Sequence, residues 1–463
     1  MAVNGPVDLL KKTMLPAFFA ERERLDRVDK WLRWDHDEPV SSRKQETREH
    51  HELKQRAPTP LGNLIVTAAV QELYVEGYRP SGNRQDTAGW SAWQVNGMDS
   101  RQIALHRAAL GYGEAFTSVL PGSTTLGERI PVIRAHSPRR VQAFWEDPAD
   151  DDWPMFVLRM DPTRIVDPAR PGREIPGWAV RVYDDTREWR YNVAADGERV
   201  EYVEVREHNI GVCPFVRFAN QLDLEGRTPG EVEPFIPIIA RVDQTTFDRL
   251  VVQRFLSWKV RTISGMTLPD DDEEANRALM KLSMTDLLVS QDHETKFGTL
   301  DATSPDGFIK AAEFDLRMLA ATSQTPVYEM LGDLINLSAE ALVAARNSLA
   351  RKVDERKHSF GRSHEQTLRL AARVMGDMDG ATDWAAQVIW KDTEGRSLGQ
   401  AADALGKLAT MLGVPVEILW EKIPGWTQTD VERAKELVRD GDAIGRLVAE
   451  LERQAQPVPA PEG

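Results

Sequence analysis

The chain has a single cysteine, Cys213, among its 463 residues. No intramolecular disulfide can form, and a lone cysteine in this setting reads as a small buried apolar residue. Long apolar runs are missing as well: no segment approaches the roughly 18 residues of a membrane span. The first apolar run, residues 14–20, is short, contains Pro16 and lies between Lys11, Lys12 and the charged stretch Glu21, Arg22, Glu23, Arg24. It does not read as a secretion signal, so the chain is expected to stay in the cytoplasm where it is made, with no membrane partner. A surplus of positive charge is also absent. Net charge is −15, whereas gripping duplex DNA through its phosphates needs a Lys/Arg excess. Such a chain either avoids nucleic acid or handles it without gripping.

Catalytic signatures are missing too. There is no G-x-x-x-x-G-K-[ST], which argues against a P-loop ATPase. Gly111-Tyr112-Gly113 opens like a dinucleotide fingerprint, but Phe116 stands at the third glycine, so it reads as a turn. His364-Glu365 starts like a zinc-protease helix, but Leu368 fills the second histidine position. Asp377, Asp379, Gly380 and Asp383 lack calcium-loop spacing and read as a helix end followed by a turn. No catalytic residue, metal site or cofactor is expected, although a site assembled from distant residues would escape this search.

What is present is a change of period along the chain. Up to Gly111 the pattern is helical: Leu25, Val28 and Leu32, then apolar runs over 61–75 and 103–110. Short segments rich in Val, Tyr, Trp and Phe follow at 114–120, 130–135, 155–160, 178–183, 188–193 and 200–205. Pro121-Gly122, Pro171-Gly172 and Asp196-Gly197 separate some of them, which predicts an antiparallel β-rich region. From Glu233 the helical period returns, with Ile239, Val242, Leu250, Val251, Phe255 and Trp258 on one broad face. An insert holds the acidic run 270–274 and short strands at 287–290 and 296–300. Asp306 is the expected N-cap of the next helix, through Phe308, Ile309, Ala312, Leu316 and Leu319. Residues 323–337, with Thr325-Pro326 and Gly332, are expected to be a loop. The longest helix then runs from Ser338 to about Met378, with a bend plausible at Gly361. Helical hairpins follow, with a stripe of Leu398, Leu405, Leu408 and Leu412 and a capping box from Thr429 to Glu432. The Pro-rich tail reads as disordered. Trp31/Trp34 and Trp90/Trp93, each at i,i+3, are expected as core or interface anchors.

The order of these elements, with the stretches Thr325-Pro326-Val327-Tyr328-Glu329-Met330-Leu331-Gly332 and Asn336-Leu337-Ser338-Ala339-Glu340-Ala341-Leu342, resembles the portal proteins of tailed double-stranded-DNA bacteriophages, of the long-tailed type. Leu73-Tyr74-Val75-Glu76-Gly77-Tyr78, Trp93-Gln94-Val95-Asn96-Gly97-Met98 and Gly111-Tyr112-Gly113-Glu114-Ala115-Phe116 look similar too. The resemblance spans nearly the whole chain. It implies an α+β, mainly helical portal fold with wing, stem, clip and crown regions. The wing would be 1–232, the stem helices 233–257 and 306–322, and the clip 258–305. A channel loop would occupy 323–337, the long helix and wing return 338–395, and the crown with its disordered tail 396–463.

The resemblance further implies a ring of twelve copies at one capsid vertex, assembled in the host cytoplasm and kept in the virion. Its partners would be the major capsid or scaffold protein, the terminase large subunit and the head–tail connector or adaptor. Double-stranded DNA would pass through without being read, in packaging and in ejection. Candidate channel residues are Gln324, Tyr328, Glu329, Asp333 and Asn336, with at least two of Val327, Tyr328, Met330 and Leu331 packing under the loop. Candidate docking residues in the clip are Lys259, Arg261, Lys281, Asp270, Asp271, Asp272, Glu273 and Glu274, although 270–274 also suits a plain helix first turn. Another phage head structural protein, or a cytoplasmic enzyme with an unrecognised site, is the alternative reading.

Overall fold

Alternation of apolar and polar side chains makes the centre of the chain a sheet. In the computed structural model, Val141–Phe144, Phe156–Val166, Glu174–Tyr183, Arg187–Ala194 and Val200–Glu207 form a five-stranded antiparallel meander in that order. The model describes residues 6–36, 48–81, 88–123, 127, 129–166, 170, 172–256, 261–264, 296–299, 304–332, 339–391, 398–423, 425–426 and 430–438. The period of two sends Leu158, Met160, Val180, Val182, Tyr191 and Val193 to one face, where all are buried. The N-terminal helical segment covers that face with Leu10, Met14 and Phe18, which recur every four residues and so share one helix side.

The opposite face carries Val141, Val157 and Tyr183, packed on Phe116, Phe215 and Cys213. Phe116 and Phe215 belong to a second sheet, ordered Arg129–His136, Glu114–Ser123, Phe215–Ala219. Two sheets face to face share one apolar core, and Cys213 is buried in it as expected. The helix Ala339–Met375 lies along the edge strand Phe215–Ala219. Ser359 and Ser363, one turn apart, donate to the carbonyls of Ala219 (2.8 Å) and Arg217 (2.7 Å). Edge carbonyls that would otherwise be open are thereby satisfied.

The segment leaving the second sheet crosses the C-terminal end of the helix Met98–Tyr112. Gly113 there has φ +99°, and a Cβ would lie 1.8 Å from the Thr228 carbonyl, so only glycine fits. Glu231 on this segment enters the interior, where it meets Arg356 at 3.0 Å and Lys352 at 3.3 Å. Arg356 also donates to Asn220 Oδ1 at 2.6 Å, and all four side chains are buried. These residues lie in one unit, Met1–Leu32, Asn63–Pro234 and Glu340–Gly463.

The other unit is Arg33–Gly62 with Phe235–Ala339. Its helices Ile236–Leu256 and Asp306–Thr322 pack together, joined by Arg241 to Asp315 at 2.8 Å. Phe247 on the first helix is covered by Ala57, with Leu53 and Val251 alongside. Buried Asp243 accepts from the Thr59 amide at 2.9 Å and lies 3.2 Å from buried His36. Arg33–Gly62 thus belongs to the same unit as this helix pair.

Several expectations are corrected. Val75–Arg79 is a strand, not helix; it pairs with Gln387–Trp390, a partner no local pattern reveals. Ala339–Met375 is one helix that continues through Gly361, with Phe360 and Leu368 buried. Asp306 makes no side-chain cap; its amide donates instead to Ser304 Oγ at 3.2 Å. Trp31 and Trp93 are buried, and Trp93 stacks on Trp90 at 5.6 Å, whereas Trp34 is 47% exposed in the protomer. Leu408 and Leu412 on Leu398–Leu412 are exposed. Asp377 caps the short helix Met378–Ala381 by accepting from the Gly380 amide, so this stretch is the turn expected. The strand expected at 287–290 and Thr429 of the capping box lie outside the described residues.

Candidate functional site

The candidate site is the helix pair and its two ends. At one end, Arg261–Ser264 pairs antiparallel with Lys296–Thr299. This ladder joins the chain leaving Leu256 to the chain entering Asp306, so the two packed helices run antiparallel. At the other end Asp306–Thr322 stops in a tight corner. Ser323 and Thr325 are buried there, their hydroxyls 3.1 Å apart. Between them Gln324 is exposed, with φ +56°. The Thr325 amide donates to the Ala320 carbonyl at 3.0 Å, a bond that closes the helix end around a left-handed residue. Glycine is the favoured residue at such a position, so glutamine holds a strained backbone there.

Residues 323–337 are not all loop. Pro326 and Gly332 bracket a short helix, Val327–Leu331, that packs back on Asp306–Thr322. Gly332, with φ +72°, is its left-handed C-cap, and the Gly332 amide donates to the Tyr328 carbonyl at 2.9 Å. Tyr328 and Glu329 are half-buried on this helix, as are Met330 and Leu331, while Val327 is exposed. At least two of Val327, Tyr328, Met330 and Leu331 are expected to pack under the loop, and Tyr328, Met330 and Leu331 are half-buried. Asp333 and Asn336 lie outside the described residues, as do Lys259, Lys281, Asp270, Asp271, Asp272, Glu273 and Glu274. Arg261 begins the described strand of the insert. The structure therefore brings Gln324, Tyr328 and Glu329 together in one corner.

Asp306–Thr322 leaves apolar side chains exposed on more than one side. Ile309, Phe314 and Met318 are exposed, Phe314 at 64%. Phe314 and Met318 are one turn apart and share a side of the helix. Among the described residues no group of three or more His, Cys, Asp or Glu could hold a metal ion. No described helix is long and apolar enough to cross a membrane.

Residues 13–446 match the family described as phage portal protein, SPP1 Gp6-like. This chain belongs to that family. The portal protein of Mycobacterium phage L5 is 26% identical over 364 residues, covering 74% of this chain and 71% of the phage L5 protein. The portal protein of Mycobacterium phage D29 is likewise 26% identical, over 372 residues and the same shares of each chain. A chain from a structure of the neck of a native GTA particle, computed with C12 symmetry, resembles this one at 11% identity and a TM-score of 0.43. That likeness covers 86% of this chain and 95% of the other. Membership of the portal family fits the mixed, mainly helical architecture and places the chain in a structural class of phage protein.

Sequence reasoning missed the features that hold this portal-family site in place. The Arg241–Asp315 pair and the contacts of Asp243 with Thr59 and His36 join residues far apart in the chain. No local motif signals such pairs. The Gln324 corner was closer to legible, since Thr325-Pro326 marks a helix end.

Proposed function

We propose that this chain assembles into the portal ring at one capsid vertex, the channel through which the genome is packaged and later ejected. The observation that carries the reading is the antiparallel helix pair, closed by the Arg261–Ser264/Lys296–Thr299 ladder, in a chain that matches the portal family over residues 13–446. Each protomer also exposes apolar residues that self-association would cover: Ile309, Phe314 and Met318, and separately Met411, Leu412 and Ile418. A closed ring of heterologous interfaces, twelve copies around one axis, buries such faces without leaving an open end.

In this reading Ile236–Leu256 and Asp306–Thr322 are the stem, and 258–305 is the clip at its far tip. Residues 1–232 with 338–395 supply the wing, and 396–463 the crown. The corner and short helix within 323–337 present Gln324, Tyr328, Glu329, Asp333 and Asn336 to DNA. Contacts from polar and acidic side chains touch the duplex without reading its bases. Twelve copies at −15 each would carry −180, and walls of like charge let a polyanion slide rather than stick. The clip, with Lys259, Arg261, Lys281 and the acids 270–274, has the mixed charge of an exchangeable interface. It would dock the terminase large subunit first and the head–tail connector afterwards, while the wing meets the capsid or scaffold protein.

Electron microscopy and native mass measurement of the purified chain test the assembly: rings with a central hole are expected, and monomers alone at micromolar concentration would overturn the reading. Deleting 323–337 is expected to abolish packaging while rings still form. Reversing the charges of Asp271, Asp272 and Glu273 is expected to weaken terminase binding and spare assembly.

A further inference from the structure

A cavity of about 660 Å³ opens beside the two sheets, in the range that holds small ligands. Helix Leu15–Leu32 lines it with Glu21 and Arg24, and the strands contribute Glu114, Gln142 and Arg217. Its outer wall is a fixed turn. Asp223 there accepts from the amides of Glu225 (3.0 Å) and Arg227 (2.8 Å) and from Arg227 Nε (2.7 Å). Gly226, with φ +79°, seats this turn on Pro148, where a Cβ would come within 2.3 Å of Pro148 Cγ.

The cations of this cavity are already engaged. Arg24 holds Glu21 at 2.6 Å and Glu233 at 2.5 Å. Arg227 holds Asp223 and Glu225, both at 2.7 Å. Arg217 donates to the Pro148 carbonyl at 2.7 Å and lies 4.4 Å over the Trp145 ring. Two acceptors are not engaged. Gln142 Oε1 is buried with no hydrogen-bond partner. Among the described residues the Glu114 carboxyl makes no hydrogen bond or ion pair; only the more distant charges of Arg217, Glu21 and Arg24 act on it. Glu114 is half-buried at the cavity, whereas a buried acceptor such as Gln142 Oε1 normally has a donor, which a ligand carrying N–H groups would supply.

We propose that this cavity binds a small organic cation, an ammonium or guanidinium compound, which donates to the Glu114 carboxylate and to Gln142 Oε1. Burial pushes the empty-site Glu114 carboxyl up to about 7, against the pull of Arg217 and Arg24 and with a push from Glu21. The charges facing it are therefore Glu21 and Arg24 from the helix, Arg217 from its own sheet, and Asp223, Arg227 and Glu233 around the rim. A cation that needs Glu114 ionised competes with the proton at this carboxyl, so its affinity rises with pH.

The test is calorimetric titration of the full chain with agmatine, which carries both cationic groups and no acid. One site per chain is expected, about tenfold tighter at pH 8 than at pH 6, because the ionised fraction of Glu114 changes by that factor. Glu114→Gln is expected to weaken binding at pH 8 about tenfold or more and to flatten the pH dependence. Gln142→Leu is expected to weaken binding and keep the pH dependence. Absence of binding, a flat pH profile in the natural chain, or a Glu114→Gln chain that binds as before would overturn the proposal; the natural chain's pH profile decides even if a variant fails to fold. Agmatine that binds isolated chains but not assembled rings would overturn the free-cation reading in favour of a basic side chain from a neighbouring copy.

Discussion

The two units of this chain treat their apolar surface in opposite ways. In the sheet unit, Leu158, Met160, Val180 and Val182 are sealed under Leu10, Met14 and Phe18, and even charged Glu231, Lys352 and Arg356 are enclosed with partners. In the helix-pair unit, Asp306–Thr322 buries Leu319 and Ala320 on one side and leaves Phe314 and Met318 open on the other. The sheet core of the first unit is sealed within one chain, although its C-terminal helices leave Met411, Leu412 and Ile418 exposed. The second has an apolar stripe that only another surface can cover. Substitutions in the sheet unit should therefore act on the stability of the protomer, and substitutions in the helix pair on assembly.

The largest effect is expected at the enclosed charges. Arg356→Ala leaves Glu231 facing Lys352 alone and removes the donor to Asn220 Oδ1. Breaking one partner of a buried pair costs about 3–5 kcal/mol. Urea unfolding of the protomer should show that loss in the transition of the sheet unit. A loss under about 1 kcal/mol would mean that water reaches this cluster, and the contrast between the units would weaken.

A second effect of similar size depends on pH. His106 and His364 are both fully buried, with Nε2 atoms 2.8 Å apart. His106 Nδ1 faces the Leu73 carbonyl at 3.2 Å and must donate to it. In a neutral ring Nε2 is then the acceptor, so His364 Nε2–H donates, and His364 Nδ1 is left bare, as found. Burial pushes His106 down to about 4, and burial with the neighbouring ring pushes His364 well below its ordinary value. A histidine depressed on folding takes its proton first in the unfolded chain. The stability it supports is complete above about pH 6.5 and falls as the pH drops from there toward 4. For His106 the loss approaches about 3 kcal/mol. Denaturation midpoints measured across this window should fall steeply in the natural chain and less steeply with His106→Gln and His364→Gln together.

The helix pair should respond otherwise. Phe314→Ser removes no buried contact of the protomer, so its melting should shift little. If the exposed stripe is an interface centre, the same change costs about 2 kcal/mol or more per contact between copies. Sedimentation would show rings giving way to smaller species at equal concentration. A ring unaffected by Phe314→Ser would place the interface on another face of the helix.

How much of this was legible follows from how local each signal is. The strands through Leu158, Val180 and Tyr191 announce themselves by alternation, and the long helix by its Leu342, Ala345, Leu349, Val353 stripe. Val141–Phe144 and Phe215–Ala219 are four and five residues long, too short to show a period before their partners are known. Val75–Arg79 contains Gly77 and finds its partner strand only at Gln387–Trp390. Pro326 and Gly332 read as loop punctuation, but they bracket the helix Val327–Leu331, because proline before a helix and glycine after it are also its end signals. The Glu114, Gln142 and Arg217 cavity was invisible: three strands bring it together, and pairings such as Phe116 with Arg217 join residues far apart in the chain.

The smallest effect tests the corner itself. Gln324 holds φ +56° between buried Ser323 and Thr325, at a position where glycine has no Cβ to crowd the backbone. If the corner were tuned for stability alone, Gln324→Gly would be the better residue, and relief of the left-handed strain should raise stability by about 1 kcal/mol. Part of that gain is offset by the greater freedom of glycine in the unfolded chain. The side chain is exposed, so the change removes no buried contact. A protomer that becomes slightly more stable and yet packages DNA more slowly would show that glutamine is kept there for what it does outside the protomer. A protomer that becomes less stable would instead assign Gln324 a structural bond at the corner, and would move the candidate channel contacts to Tyr328 and Glu329.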